Sequence, residues 1–301
     1  MWNKFNCSTG SWRKETLNID LPVEPDRSKR LVFQEMNIFK RKDSMNALSV
    51  VIIAKNEEST IDRCLNSLKW ADEIIVLDGF STDKTGEICR RYTDKIYQKK
   101  FESFPVEREY ALSKASHDWV LSVDADMYFP PKYCQEIREI LSSDAIPFDG
   151  YYSKGLTVFL SREIRHCGWF DHRYMRFFNK KKGRYDTKTY TVLDIFHVPG
   201  PTGKLKNHFM HYTKENFLDY FGKIKRISNL TAYEYKNKGL KLSRYNILFY
   251  MLVKPGLIFL YKYIYKLGFL DGIVGLIVSI NSAISYYIAH AALWDMEQKI
   301  K

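Results

Sequence analysis

Three nearly continuous apolar runs, Leu48–Ile53, Glu73–Leu77 and Trp119–Val123, each stop abruptly at polar residues. A strand with one wet face alternates apolar and polar side chains, so a run without alternation is what a strand covered on both faces requires. Segments of helical period lie between the runs. Ile61, Cys64, Leu65 and Leu68 share one helix face, with Ser59 as the predicted cap. Ser81-Thr82-Asp83 opens a second helix through Ile88 and Cys89, and Pro105 starts a third that reaches Ala115. Lys95-Ile96-Tyr97 adds a short strand. Strands and helices alternating at these lengths predict a mostly parallel, doubly wound α/β sheet.

Sheets of that kind bind ligands beyond the carboxyl ends of their strands. Lys55-Asn56-Glu57-Glu58, Asp78–Asp83 and Asp124-Ala125-Asp126 all fall at such ends. A lone Asp-x-Asp says little, a solvated strand-end turn being the plain alternative, but here three polar clusters share one edge. Successive strand side chains alternate faces, so Asp124 and Asp126 are expected to point into one small volume while Ala125 points back. Two like charges placed so closely repel, and a cation between them and a bound diphosphate would resolve the repulsion. Neither a G-x-G-x-x-G turn nor a Walker lysine motif occurs, which argues against dinucleotide and P-loop binding.

At 301 residues and 45% hydrophobic content the chain can bury a substantial core. Its formal charge of +12 suits an anionic partner. Nucleic acid is disfavoured, because no recognition helix, zinc finger or RNA-binding signature accompanies the charge and the basic residues crowd beside apolar stretches between Lys223 and Lys266. An anionic membrane face fits better. Cys7, Cys64, Cys89, Cys134 and Cys167 are odd in number and widely spaced, which suggests a reducing compartment. Lys4, Arg13, Lys14 and Glu15 leave no apolar core for a secretory signal, so the catalytic part is expected in the cytosol. His208 and His211, with His166 and Cys167, fit no standard zinc framework; His211 reads as a further metal ligand, a group behind one, or a packed histidine.

Ser49–Glu58, Asp72–Asp83 and Asp118–Asp126 resemble the corresponding segments of family 2 glycosyltransferases, which have the GT-A nucleotide-diphospho-sugar transferase fold. Ile164–Phe170, Arg176-Phe177-Phe178, Gly203-Lys204-Leu205, His211-Tyr212 and Leu267–Gly272 are similar to the branch that holds the lipopolysaccharide-core β-glucosyltransferases acting on heptose. The resemblance runs from about residue 47 to the C-terminus. It implies an inverting transfer from a nucleotide-diphosphate sugar with Mg²⁺ or Mn²⁺ as cofactor. By position, Asp78 would hydrogen-bond uracil, Ala54 and Glu57 would line the base pocket, Asp124 would meet the ribose or a metal-bound water, and Asp126 would ligate the metal. Arg108 matches an arginine placed near the donor, although Glu109 replaces the Asn that usually follows. The acceptor base of this branch is the Glu of a Val-His-Glu element. Here the element reads Val192-Leu193-Asp194, which makes Asp194 the expected base and leaves Asp186 and Asp171 as substitutes.

Three parts are expected: an N-terminal extension over 1–45, partly disordered or draped over the domain, a catalytic domain over 46–240, and membrane-associating helices over 241–301. Tyr245–Val253, Gly256–Tyr265 and Gly272–Ala289 are apolar and aromatic with interspersed lysines, as in helices lying in a membrane interface. A buried helical pair or an oligomer contact is the alternative. The resulting expectation is a peripheral enzyme of the cytoplasmic face that moves a hexose, glucose from UDP-glucose, to a lipid-linked saccharide such as lipopolysaccharide core. Polyprenyl-linked, exopolysaccharide or protein acceptors remain open, as does a non-catalytic binding module.

Overall fold

β1 (Leu48–Ala54) lies between β2 (Glu73–Asp78) and β4 (Trp119–Asp124), parallel to both, and β3 (Ile96–Gln98) extends the sheet beyond β2. The computed structural model describes residues 46–170, 172–187, 196–213, 217–243 and 245–298. The extension over 1–45, Asp171 and Asp194 therefore lie outside the described residues.

The unbroken apolar runs follow from cover on both faces. Leu48, Val50, Ile52, Val76, Leu121 and Val123 share one core with α1 (Ile61–Ser67), α2 (Thr85–Cys89) and α4 (Pro131–Leu141). Val51, Ile75, Leu77 and Val120 turn to the opposite side and pack on Ala111 and Leu112 of α3 (Phe104–Ser113). Each fully buried aliphatic side chain contributes about 1.5–3 kcal/mol to holding these layers together. The start of α1 differs from the sequence expectation. Thr60 precedes the helix instead of Ser59, and the carbonyl of Glu57 accepts from both Thr60 N and Ile61 N, so a backbone turn does the work expected of a serine hydroxyl.

Past β4 the sheet becomes mixed. β8 (Arg173–Asn179) runs antiparallel to β4, β6 (Gly150–Phe159) antiparallel to β8, β11 (Thr202–Tyr212) parallel to β6, and β5 (Met127–Tyr128) antiparallel to β11. β6 is long enough to serve two partners along one edge. Its first half pairs with β8 and its last residues with β7 (Arg162–Ile164). β9 (Arg184–Tyr185) and β10 (Phe196–His197) form a separate ribbon against α3. β11 carries a bulge: Lys204 lies opposite Tyr152, and His208 opposite Lys154. Glu136 of α4 accepts from Lys206 N at 2.7 Å and from Asn207 N and Nδ2 at 2.9 and 2.8 Å, which satisfies the groups the bulge takes out of the ladder.

The C-terminal helices pack at the β6–β7 end. α5 (Phe217–Asn237) leads to a helical run whose centre is α6 (Lys254–Leu260), flanked by π-type turns at Phe249–Val253 and Tyr261–Tyr265. A tight turn, Gly268–Asp271, precedes α7 (Gly272–Gln298). Val274 and Val278 of α7 share a core with Phe159, Ile164 and Cys167. Ser228 of α5 donates to Ser285 O, and the His290 ring stacks on Tyr250 and Tyr286 at 4.9 and 4.2 Å. The outward side of this layer keeps Leu248, Leu252, Leu257, Leu260 and Ile264 exposed. Gly268–Gln298 is long and apolar enough to cross a membrane by length and composition.

At the amino end of the sheet Glu73 is buried, and it accepts from Lys95 Nζ, Ser49 Oγ, Ser116 Oγ and Ser116 N. Burial alone would raise its pKa, but these donors outweigh it and hold the carboxyl at about 2. A depressed folded pKa gives stability that is present above the unfolded value and lost as pH falls through the folded one. Glu73→Gln is expected to lose about 2 kcal/mol at pH 7 in urea denaturation, with the difference from the parent shrinking between about pH 4.5 and pH 2.

Candidate functional site

Register places the site. Ala54 pairs with Asp78 and Ile53 with Asp124, so the ends of β1, β2 and β4 fall level on one edge. The loops beyond β1 and β2 are tied to each other by reciprocal bonds. Asn56 N donates to Ser81 Oγ and Glu57 N to Thr85 Oγ1, at 2.9 and 2.8 Å, while Thr82 N returns to Asn56 Oδ1 at 2.8 Å. Gly79 N closes on Ala54 O at 2.9 Å. The Asp78 carboxylate is buried. One oxygen accepts from Ser81 N and Oγ, at 3.0 and 2.6 Å, and the other from Gln98 Nε2 at 3.0 Å. A cavity of about 620 Å³ opens beside it, lined by Asp78, Ser81, Lys84, Arg90 and Gln98 among others. The Asp124–Asp126 turn is not part of that lining.

β4 ends at Asp124, and the chain turns through Ala125 and Asp126 into β5 instead of continuing as a strand. Cys64 Sγ donates to the Asp124 carbonyl at 3.7 Å, and burial first, then the charges of Asp126 and Asp124, push this thiol well above its ordinary range. That thiol is therefore a poor nucleophile. Cys89, Cys134 and Cys167 are likewise buried and free.

Asp124 is gripped from two sides. Arg108 Nη2 donates to Oδ1 and Arg176 Nη2 to Oδ2, the latter at 2.9 Å, and both arginines are buried. Arg108 also donates to Ser122 Oγ at 2.9 Å, which Tyr185 OH reaches from the other side at 3.0 Å. Burial acts to raise the Asp124 pKa, but Arg108, Arg176 and His211 overcome it and hold the carboxyl well below the usual range. Asp126 takes a different partner: its Oδ2 lies 3.0 Å from His211 Nε2, and its carbonyl accepts from Tyr212 N at 2.8 Å. β5 pairing makes this meeting possible, since Met127 lies opposite His211 on β11.

The sequence-derived residues Arg108, Asp124, Asp126 and His211 thus converge, with Ala54 and Asp78 level with them on the adjoining strands. Glu57 turns to Thr60, accepting from its hydroxyl at 3.0 Å. Arg176 is the addition; in the sequence its segment carries a family likeness and no assigned role, and the β4–β8 pairing brings it to Asp124. Glu109, the departure from the usual Asn, accepts from Tyr185 N at 3.3 Å and so serves the β9–β10 ribbon. His208 lies three residues from His211 on the strand and meets the Phe170 ring at 5.7 Å, apart from Asp126.

A divalent cation fits Asp126 and His211. Two ligands at about 2.1 Å from an octahedral ion and at right angles lie about 3.0 Å apart, the separation found here. Among the described residues no three His, Cys, Asp or Glu side chains form a metal cage, so diphosphate and water would complete the coordination, as is usual for Mg²⁺. With both oxygens held by arginine, Asp124 is placed to orient its surroundings.

Residues 49–198 match the family described as glycosyl transferase family 2. The chain belongs to that family. The order β3-β2-β1-β4, followed by antiparallel β8, is the GT-A arrangement expected of it. An uncharacterized glycosyltransferase of Rickettsia typhi is 27% identical over 85% of this chain and 89% of its own length. The lipopolysaccharide core biosynthesis glycosyltransferase LpsC of Rhizobium meliloti is 25% identical over 81% of this chain and 93% of its own. The solved structure of glucosyl-3-phosphoglycerate synthase from Mycobacterium tuberculosis with Mg²⁺ and uridine diphosphate aligns at 23% identity with a TM-score of 0.32, over 38% of this chain and 44% of that one.

Arg176→Gln leaves Asp124 with one guanidinium. Because Asp124 is partly open to solvent, the expected loss is about 1–2 kcal/mol at pH 7. In chemical denaturation the deficit holds above the unfolded carboxylate range and narrows as pH falls from there toward the lower folded value of Asp124, where the parent also loses the interaction.

Proposed function

We propose that this family 2 glycosyltransferase is a metal-dependent, inverting hexosyltransferase that carries glucose from UDP-glucose to a lipid-linked saccharide of the lipopolysaccharide-core type, at the cytoplasmic face of the inner membrane. The observation that carries the donor half is the meeting of Asp126 with His211 beside an Asp124 locked between Arg108 and Arg176. The acceptor half is supported by similarity to LpsC along most of both chains. The membrane half is supported by the exposed apolar side of the C-terminal helices and the lysines among them.

In this reading Asp78 holds the uracil edge, with Ala54 and Glu57 lining the base pocket. Asp78 already accepts from Ser81 and Gln98, so uracil N–H would share an oxygen with them or displace the Gln98 amide. Asp124 faces the ribose, kept in place and ionised by its two arginines. Asp126 and His211 hold Mg²⁺ or Mn²⁺, which would supply Lewis-acid neutralisation of the leaving diphosphate. Asp194 takes the proton of the acceptor hydroxyl as that oxygen attacks the anomeric carbon from the side opposite the leaving group.

The charges of the two arginines and the two aspartates cancel, leaving His211 aside. A divalent cation alone would bring two uncompensated positive charges to a partly buried site, and a diphosphate alone two negative ones. Together they balance, so each is expected to bind better in the presence of the other.

Calorimetric titration with a panel of nucleotide sugars, with and without Mn²⁺, tests this. UDP-glucose is expected to bind at least about 10-fold more tightly with the cation, and Asp126→Ala to remove the difference. Asp194→Ala is expected to keep donor binding and lower turnover by about 10²–10⁴-fold. Equal binding of all sugars, or of none, would overturn the donor reading.

A further inference from the structure

One row of residues crosses the sheet through the site: Met127, His211, Thr157 and Ile164 lie side by side on β5, β11, β6 and β7. At a strand spacing of about 4.8 Å, Ile164 stands roughly 10 Å from His211. The loop that follows Ile164 is fastened to the turn before α7. Arg165 N and His166 N donate to the two Asp271 carboxylate oxygens at 3.4 and 2.9 Å, and His166 Nδ1 meets Oδ1 at 2.8 Å. Cys167 N donates to Lys266 O at 3.0 Å, and Lys262 Nζ to Cys167 O at 3.1 Å.

The turn has two unlike sides. Inward, the Asp271 side chain is 5% exposed, and Gly268 sits so close that a Cβ there would lie 2.7 Å from Cys167 Sγ. A Cβ on Gly275 of α7 would lie 1.9 Å from Gly268 O, so turn, loop and helix are in direct contact. Outward, Leu267, Phe269, Leu270 and Ile273 are 45%, 45%, 57% and 70% exposed. Leu267 is held at φ 55° and Gly272 at φ 65°, left-handed residues at both ends of a sharp reversal, a conformation that its surroundings must sustain.

We infer that the turn Leu267–Ile273 inserts its outward side chains into an anionic phospholipid surface and, through Asp271, positions the His166 loop for an acceptor presented in that surface. This rests on the glycosyl transfer and membrane seating proposed above. Lipid is the occupant because Lys266, at the start of the turn, and the formal charge of +12 on the chain complement anionic headgroups and repel a second copy of it. Asp271 and His166 act as positioning residues. Burying the outward side favours the one turn geometry that brings the Asp271 carboxylate to the loop, so lipid and loop order are coupled.

The test is hydrogen exchange of the 164–170 segment with and without vesicles of phosphatidylethanolamine and phosphatidylglycerol at 3:1, with binding followed by co-sedimentation. In the parent protein bound to vesicles, exchange of this segment is expected to slow by about 10-fold. In Asp271→Asn the protein still sediments with vesicles and the slowing is lost; His166→Gln, a milder change at a more exposed residue, gives an intermediate effect. UDP-glucose affinity stays within about twofold in both. Vesicle binding with unchanged exchange at 164–170, or an Asp271→Asn response equal to the parent's, overturns this inference alone. Absence of vesicle binding removes it together with the membrane seating, while donor titration reports separately on glycosyl transfer. Protection that rises with protein concentration without vesicles would assign the surface to a second copy and overturn the lipid assignment.

Discussion

A carboxylate held between two buried guanidinium groups is the arrangement around which the site is built. Burying Arg108 and Arg176 has a high desolvation cost, and Asp124 is the acid that both of them reach. Each arginine arrives from a different layer, Arg108 from α3 across the sheet face and Arg176 from the antiparallel strand β8. The parallel half of the sheet, the covering helix and the mixed half therefore meet at one side chain. The neighbouring acid, released from this duty, is left to face His211. One Asp of the pair is thus locked by arginine and the other meets a histidine, a division that two equivalent aspartates would not have.

Much of the parallel half was legible in the sequence, because its signal is local. Apolar runs such as Leu48–Ile53 are long enough to read without knowing their neighbours, and polar residues at their ends mark the ligand edge directly. The mixed half was not legible in the same way. β5 is two residues long, and its place beside β11 is decided by a contact spanning more than eighty positions, so the reason His211 lies beside Asp126 appears only in three dimensions. The same holds for Arg176, whose sequence context marks an apolar strand without saying which strand it joins. The alternation argument for Asp124 and Asp126 does not apply as made, since the chain leaves β-structure between them. Ser59 and Thr60 show the small-scale version: hydroxyl residues adjoin the helix start, but the backbone carbonyl of Glu57 makes the bonds.

The C-terminal helices show how composition and packing divide an explanation. Their lysines and aromatics suggest a surface-seeking layer, and a purely internal pair would suggest the reverse. Both features are present on opposite sides of the same helices. Val274, Val278 and His290 of α7 are packed inside, while Ile273, Ile280 and Tyr287 of the same helix are exposed. Periodicity alone does not separate these cases, because an apolar residue facing the protein core and one facing outward have identical sequence signatures.

The bulge in β11 has a consequence for how this scaffold tolerates change. It inserts two residues, an even number, so the inward and outward faces of the strand keep their phase across it and His211 stays on the side of Asp126. Adding or losing a single residue between Lys204 and His208 would present Met210 or Tyr212 in its place. The guardian of this parity is Glu136, a partly buried acid on α4 whose carboxylate holds the bulge at Lys206 and Asn207. Chemistry at one end of the strand is therefore indexed by a count kept at the other, and variation in length has to come in pairs.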